Sequence, residues 1–539
     1  MLAIAEPISI ASVLPELLLV IGGCVALIVG LGRRVGLRES TQWICLVAIV
    51  AALAWARFGP AAGVADLDVV RGGLAFGGLA QFVRLSTLVL GLVILLVAWS
   101  EPTESERGEF FAMLLFSLTG LMLVGPAVNL VILFMAIELV SIPAYVMVTL
   151  SRRDARAVES GTKYFYLGAM SAAMTAFGFS YLYGVAGSAT INSESIYRIS
   201  SALQNPGSTE HALATVGVLL SIAGLLFKIS AVPRHWYVAD VYQGAASAVS
   251  GMLGFVPKFA GIVAILKIVS LTGWHTTSGG LFWMLWIVAA LSMTVGNVLA
   301  LRQTNIKRML AFSGVAHAGY MLVGVLAGPG SDSIIGDGTA GVLYYAVIYG
   351  IANLGAFAVL GILRVRGQAA ETLQDVAGLL RRSPTLALLM ALVMLALMGL
   401  PPTTGFWGKM SLFGSGLAMS NDAPDALRGW VIGLVILAGL NSAIGAAYYL
   451  RVTAAVLLYE NDQAAEPAPR EAQYMGAMMC GVLTLIFTVY PTILLDAGFT
   501  ATSDFRDQAM TFADKPVAVQ VAAAADEPVP APPPVLPAP

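Results

Sequence analysis

Five titratable residues stand inside stretches that are otherwise apolar: Glu138, Lys228, Lys258, His317 and Lys409. Charge at membrane depth is costly and by default marks an ion path. Glu138 lies in the middle of 130–148, flanked by Phe134-Met135-Ala136-Ile137 and Leu139-Val140. A carboxylate there either ties two helices together or exchanges protons, and its setting favours exchange. Lys228 stands in Gly224-Leu225-Leu226-Phe227-Lys228-Ile229-Ser230, five residues before Pro233. Proline removes a backbone donor and frees a carbonyl. In a membrane such a break survives only where protein or water satisfies the freed groups. A lysine beside it is held between the desolvation cost of burial and the attraction of a carboxylate, so it changes protonation as its partner moves. That is proton-relay chemistry.

Lys409 repeats the arrangement. It follows the break Gly399-Leu400-Pro401-Pro402-Thr403-Thr404-Gly405. Lys258 comes directly after Pro257, and His317 lies within 311–323. A lone histidine there is either a satisfied core residue or a relay group whose ordinary pKa, about 6.5, suits the task. His235 and Asp240 sit just past Pro233 and are expected to line the inner half of a channel. Lys267 is expected to snorkel to the interface, and Glu16 to mark the interfacial end of a helix.

The elements that position these groups must be membrane helices. The chain has 539 residues, 58% of them hydrophobic and 11% charged, with net charge −2. Soluble domains carry about 25% charge, so a soluble enzyme, a disordered chain and a nucleic-acid binder are excluded. A bilayer needs about 20 apolar residues per helix. Fourteen spans are expected, near 13–32, 42–56, 79–99, 110–126, 127–150, 162–184, 213–234, 251–272, 281–301, 308–328, 341–364, 385–419, 429–458 and 472–496. With the N-terminus outside, seventeen Lys and Arg fall in inside loops against seven outside. Basic residues favour cytoplasmic loops, so both termini are expected on the outer side.

Spans seven and twelve are discontinuous, five spans apart, with the break and the lysine in opposite order. Broken helices in inverted repeats are a transporter signature. The expected architecture is therefore an all-α polytopic membrane protein of about fourteen transmembrane helices, with two inverted five-helix repeats. A three-helix segment covers 1–109, the first repeat 110–272, the second 273–458, and a last helix 459–500. Residues 501–539, rich in Pro and Ala, are expected to be disordered. Cys24, Cys45 and Cys480 lie in apolar runs without metal-ligand spacing. No nucleotide-binding glycine loop is present.

Two stretches resemble a known family. Leu225-Leu226-Phe227-Lys228-Ile229-Ser230-Ala231-Val232-Pro233-Arg234-His235-Trp236-Tyr237-Val238-Ala239-Asp240 and Arg308-Met309-Leu310-Ala311-Phe312-Ser313-Gly314-Val315-Ala316-His317-Ala318-Gly319-Tyr320 are similar to signatures of the antiporter-like subunits of respiratory complex I. The likeness covers residues 10–500. Within that family Leu14-Pro15-Glu16-Leu17-Leu18 resembles the start of one branch, and Lys409 stands where another branch carries glutamate. The resemblance implies a proton-translocating membrane subunit of NADH:quinone oxidoreductase in a bacterial cell membrane. Glu138 and Lys228 match the family's glutamate–lysine pair, Lys258 and His317 its connecting positions, and Lys409 its terminal lysine. It implies no cofactor in this chain; NADH, FMN, iron–sulfur clusters and quinone are expected in partner subunits. The implied partners are the other membrane subunits and the bilayer, with no nucleic acid. The competing expectation is a self-standing or multi-subunit cation/proton antiporter. The chain departs from the pattern at Arg234 and Ala239, where the family commonly has an aromatic residue and a proline.

Overall fold

The computed structural model describes residues 10–32, 35–59, 73–274, 279–330, 335–422, 424–461 and 465–513. The first helices are α1 (Ile10–Gly30), α2 (Val35–Phe58), α3 (Gly78–Ala98), α4 (Arg107–Val124), α5 (Leu130–Leu150), α6 (Ala155–Ala186) and the short α7 (Ser193–Leu203). The broken seventh span is α8 (Thr209–Lys228) followed by α9 (Val238–Gly244), and α10 (Ser247–Ser270) completes the first half. The second half runs through α11 (Gly279–Leu301), α12 (Ile306–Ala327) and α13 (Gly338–Ile362). After two single-turn helices, α14 (Leu373–Val376) and α15 (Leu379–Arg382), come the broken pair α16 (Pro384–Met398) and α17 (Thr404–Asp422), then the long α18 (Asp425–Leu458). The chain closes with α19 (Glu471–Val489), α20 (Thr492–Ala501) and α21 (Ser503–Ala513).

Twelve of these helices are long and apolar enough to cross a membrane. The expected count of fourteen is not reached on that measure. The two remaining spans are α6, whose first turns carry Arg156, Glu159 and Lys163, and the broken α16–α17. Residues 501–513, expected within a disordered extension, are instead helical: α20 ends at Ala501 and α21 occupies 503–513. Residues 514–539, with most of the Pro/Ala run, lie outside the described residues.

Helix ends follow local chemistry. Asn129, Asp154, Asn192, Asn305 and Asp337 cap α5, α6, α7, α12 and α13, each accepting from backbone N–H groups of the first turn. Gly399 ends α16 in the left-handed region (φ +79°), as a residue without a Cβ allows. A three-stranded antiparallel sheet covers one end of the bundle, in the order Gln368–Ala369, Leu363–Val365, Glu466–Pro467.

The core is unusual in its centre. Helices α10 and α13 are buried over every residue, and α12 over nearly its whole length. The helices around them present apolar side chains outward, such as Val131, Met135 and Ile142 of α5. A soluble protein does not expose such a face; lipid or partner helices cover it. The three central helices carry Lys258 and His317, so these groups are held at full burial by packing on all sides.

Candidate functional site

The site begins where α5 meets the end of α8. Lys228 is the last residue of α8, and its Nζ donates to Glu138 Oε1 at 2.9 Å and to Ser141 Oγ at 2.6 Å. Ser141 in turn donates to the carbonyl of Ile137. Glu138 and Ser141 are i and i+3 on α5, so both face the lysine. The Lys228 side chain is 2% exposed, that of Glu138 16%. The break beyond Lys228 is satisfied by protein. Tyr237 Oη donates to Phe227 O, Ser230 Oγ bonds Tyr237 Oη, and Val232 N donates to Ser292 Oγ.

Lys228 packs against α10 because residue 261 is glycine. A Cβ there would lie 2.8 Å from Lys228 Cβ. One turn away on α10, Lys258 Nζ donates to the carbonyl of Gly314 at 2.7 Å, with the Tyr349 ring 5.5 Å away. Gly314 belongs to α12, which one turn later carries His317. Its Nδ1 is 2.7 Å from Tyr345 Oη and its Nε2 2.8 Å from Tyr449 Oη. One further turn on, Tyr320 presents its ring 5.2 Å from Lys409 Nζ. Lys409 closes the series on α17. It donates to Met398 O at 2.6 Å, at the end of α16, and to Ser442 Oγ at 2.8 Å. Among the described residues no carboxylate bridges Lys258 or Lys409.

Four buried titratable groups and one partly buried carboxylate thus form a row from α5 through the central helices to the α16–α17 break. Each cation rests on a carbonyl, hydroxyl or carboxylate that a break or a glycine makes reachable. Such a row can bind and pass protons.

The transmembrane family described as NADH:quinone oxidoreductase/Mrp antiporter matches residues 127–447, which include all five of these groups. The chain belongs to this family. A curated relative, NADH-quinone oxidoreductase subunit N of Trichlorobacter lovleyi, is 34% identical over 449 residues, 83% of this chain and 87% of the relative. A chain from the structure of respiratory complex I from Thermus thermophilus with bound aureothin is 28% identical. It superposes with a TM-score of 0.71 over 89% of this chain and 98% of that chain. A chain of the Mrp complex from Dietzia sp. DQ12-45-1b, 19% identical, shares the fold with a TM-score of 0.75, over 95% of this chain and 99% of that one.

His235 and Asp240, expected to line the inner half of a channel, lie outside the row. Asp240 is part exposed and bridges Arg308 at 2.8 Å and Lys163 at 3.2 Å, at one end of the bundle. His235 is half-buried, its Nδ1 without a hydrogen-bond partner among the described residues. Arg234 is half-buried and lies against the Met174 sulfur on α6. Two expectations fail outright. Lys267 does not snorkel: it is 5% exposed and donates to the carbonyls of Gly125 and Ala127, both at 2.7 Å, where α4 gives way to α5. Glu16, expected at an interfacial helix end, is buried in an ion pair with Arg84 of α3 at 2.7 Å. Among the described residues no group of three or more His, Cys, Asp or Glu is placed to hold a metal ion.

Sequence reasoning missed Ser141, Ser442 and the tyrosines about His317. Hydroxyls are common in membrane helices, and spacing alone does not separate them from packing residues. The one available signal is position: Tyr345 and Tyr449 lie deep within their spans, whereas tyrosine usually gathers at the interfaces.

Proposed function

We propose that this chain is the proton-translocating, antiporter-like membrane subunit of an NADH:quinone oxidoreductase. Protons enter from the cytoplasm beside the broken seventh span, reach Lys228, pass Lys258 and His317 along mid-membrane, and arrive at Lys409 for release outward. The observation that carries this reading is the burial of Lys228, Lys258, His317 and Lys409 in succession along contacting helices. The links between them are the α8–α10 contact at Gly261, the Gly314 carbonyl and the tyrosines of α12, α13 and α18.

The Glu138–Lys228 pair is the switch in this account. Partner subunits carry NADH, FMN, the iron–sulfur clusters and quinone, and their redox chemistry biases the pair by moving neighbouring charge. Coupling of this kind requires an element with two arrangements that both sites bias, and a lysine that leaves Glu138 for the next acceptor is such an element. The two five-helix units, 110–272 and 273–458, act as inverted half-channels. Their breaks flank Lys228 and Lys409 in opposite order. Both termini lie outside the cell membrane, consistent with the loop bias of basic residues.

The test replaces Lys228 with methionine, which keeps length and removes charge, in the assembled complex. NADH oxidation, proton uptake into proteoliposomes and assembly are measured together. Full assembly with a reduced proton-to-electron ratio is expected; full assembly with the parental ratio overturns the proposal. A chain that purifies without redox partners and exchanges a cation for protons identifies the self-standing antiporter instead.

A further inference from the structure

Each cation in the row has a direct acceptor, but His317 is held differently. Its two ring nitrogens meet two phenols, Tyr345 on α13 and Tyr449 on α18, at 2.7 and 2.8 Å. A neutral imidazole has one N–H donor and one bare acceptor nitrogen, whereas an imidazolium has two donors. Two hydroxyls suit the neutral ring in either tautomer, because each phenol both donates and accepts.

The two phenols lead in different directions. Tyr449 Oη is hydrogen-bonded to Ser313 Oγ, and Ser313 directly precedes Gly314, whose carbonyl holds Lys258. Tyr345 lines a small cavity of about 10 Å³. Its walls include His317, Tyr345, Tyr349, Thr404 and Gly405, the last two at the start of α17 beyond the break. A space of about 10–15 Å³ holds one water. Tyr344 donates or accepts at Thr404 Oγ1, 2.9 Å away, so the break end of the cavity is also lined with hydroxyl.

We propose that Ser313, Tyr449, His317 and Tyr345 form one hydroxyl–imidazole–hydroxyl wire that carries the proton between Lys258 and the α16–α17 break. The inference rests on the proton-translocation reading and names the groups that make its middle step. The step balances. The Lys258 ammonium swings from the Gly314 carbonyl to the hydroxyl of the adjoining Ser313 and gives it a proton, and Ser313's own hydroxyl proton moves to Tyr449 Oη. The Tyr449 O–H bond breaks and an Nε2–H bond forms. The Nδ1–H bond breaks and its proton joins Tyr345 Oη, and the former Tyr345 hydroxyl proton leaves to a water in the cavity and so to the Lys409 side. One proton enters and one leaves. Both phenols and the imidazole stay neutral, and the ring is left in its other tautomer, to be reset by rotation of the hydroxyls and ring.

Tyr345 and Tyr449 are relay residues because they touch the atoms that exchange the proton. Tyr345→Phe and Tyr449→Phe each delete one oxygen and keep the ring. They are measured beside Lys228→Met and Lys409→Met, all in the assembled complex in proteoliposomes. The expected result is a proton-to-electron ratio in both phenylalanine variants as low as in the lysine variants, per assembled complex. Parental ratios in the phenylalanine variants with lowered ratios in the lysine variants overturn the wire and leave the proposed function standing. Parental ratios in all four overturn both. Should a phenylalanine variant not assemble, 3-fluorotyrosine at 345 or 449 keeps the shape and makes the phenol more acidic. The rate of proton translocation per assembled complex then departs from that of the tyrosine protein, whereas an unchanged rate overturns the wire.

Discussion

Replacing Glu138 with glutamine removes the charge from the switch while keeping its size and its hydrogen-bonding oxygen. At the observed 2.9 Å between Lys228 Nζ and Glu138 Oε1, unit charges attract by about 6 kcal/mol at an effective dielectric constant of about 20. Moving a two-state element from 1:99 to 99:1 takes about 5.5 kcal/mol, a span this attraction matches before the desolvation of the two groups is set against it. Glutamine leaves a hydrogen bond between a neutral acceptor and a charged donor, together with the one to Ser141 Oγ. A bond to a charged group contributes about 1.5–3 kcal/mol, which shifts an equilibrium only about 10- to 150-fold. Glu138→Gln is therefore expected to assemble and to oxidise NADH while pumping fewer protons per electron. The assay follows NADH absorbance and an internal pH dye in the same proteoliposomes, with assembly checked on native gels. A fully assembled Glu138→Gln complex with the parental ratio would mean that the lost attraction plays no part in translocation.

Three further outcomes follow from the packing. Gly314→Ala places a Cβ 2.6 Å from both Lys258 Nζ and Tyr349 Oη, so Lys258 must leave its carbonyl. Overpacking costs about 1–3 kcal/mol, and the proton-to-electron ratio is expected to fall while quinone reduction persists; an unchanged ratio contradicts the role of that contact. Arg84→Ala strands Glu16 in the core, at a cost of about 3–5 kcal/mol. A lower thermal midpoint with a normal ratio in assembled complex is expected, and a pumping defect at unchanged stability would show Glu16–Arg84 to be more than structural. Glu101, in the segment between α3 and α4, accepts from Ala248 N at 3.1 Å, yet burial pushes its carboxyl above the usual range against the pull of Lys307, Arg470 and Arg364. Between the ordinary and raised values the folded chain holds more protons than the unfolded one, so stability declines as pH rises through that window. Glu101→Gln should flatten this decline in a series of thermal midpoints, and an unaltered slope would contradict it.

Much of this architecture was legible because the bilayer enforces a plain code. Apolar runs of span length had to be helices, and Glu138, Lys228, Lys258 and Lys409 stood out because so few charges interrupt those runs. Prolines located the two breaks for the same reason. The errors share one cause: the partner that buries a group lies far away in sequence. Glu16 lies near the start of α1 and looks like an interfacial helix end, but Arg84 of α3 meets it in the core. Lys267 looks long enough to reach the interface, but the α4–α5 junction supplies two carbonyls where it stands. The acceptors of Lys258 and Lys409 are backbone carbonyls, which no residue type reveals. The tyrosines about His317 were hidden among seventeen in the chain, distinguishable only after α12, α13 and α18 were brought together.

If Lys228 and Lys409 lie on one path rather than on two, cutting it at either lysine has the same effect. The most direct measurement is the proton-to-electron ratio of Lys228→Met, Lys409→Met and the double variant, each in fully assembled complex at matched NADH oxidation. A serial path predicts the same deficit in all three, because a wire cut twice conducts no less than a wire cut once. Deficits that add in the double variant, or a parental ratio in either single variant, would contradict the account.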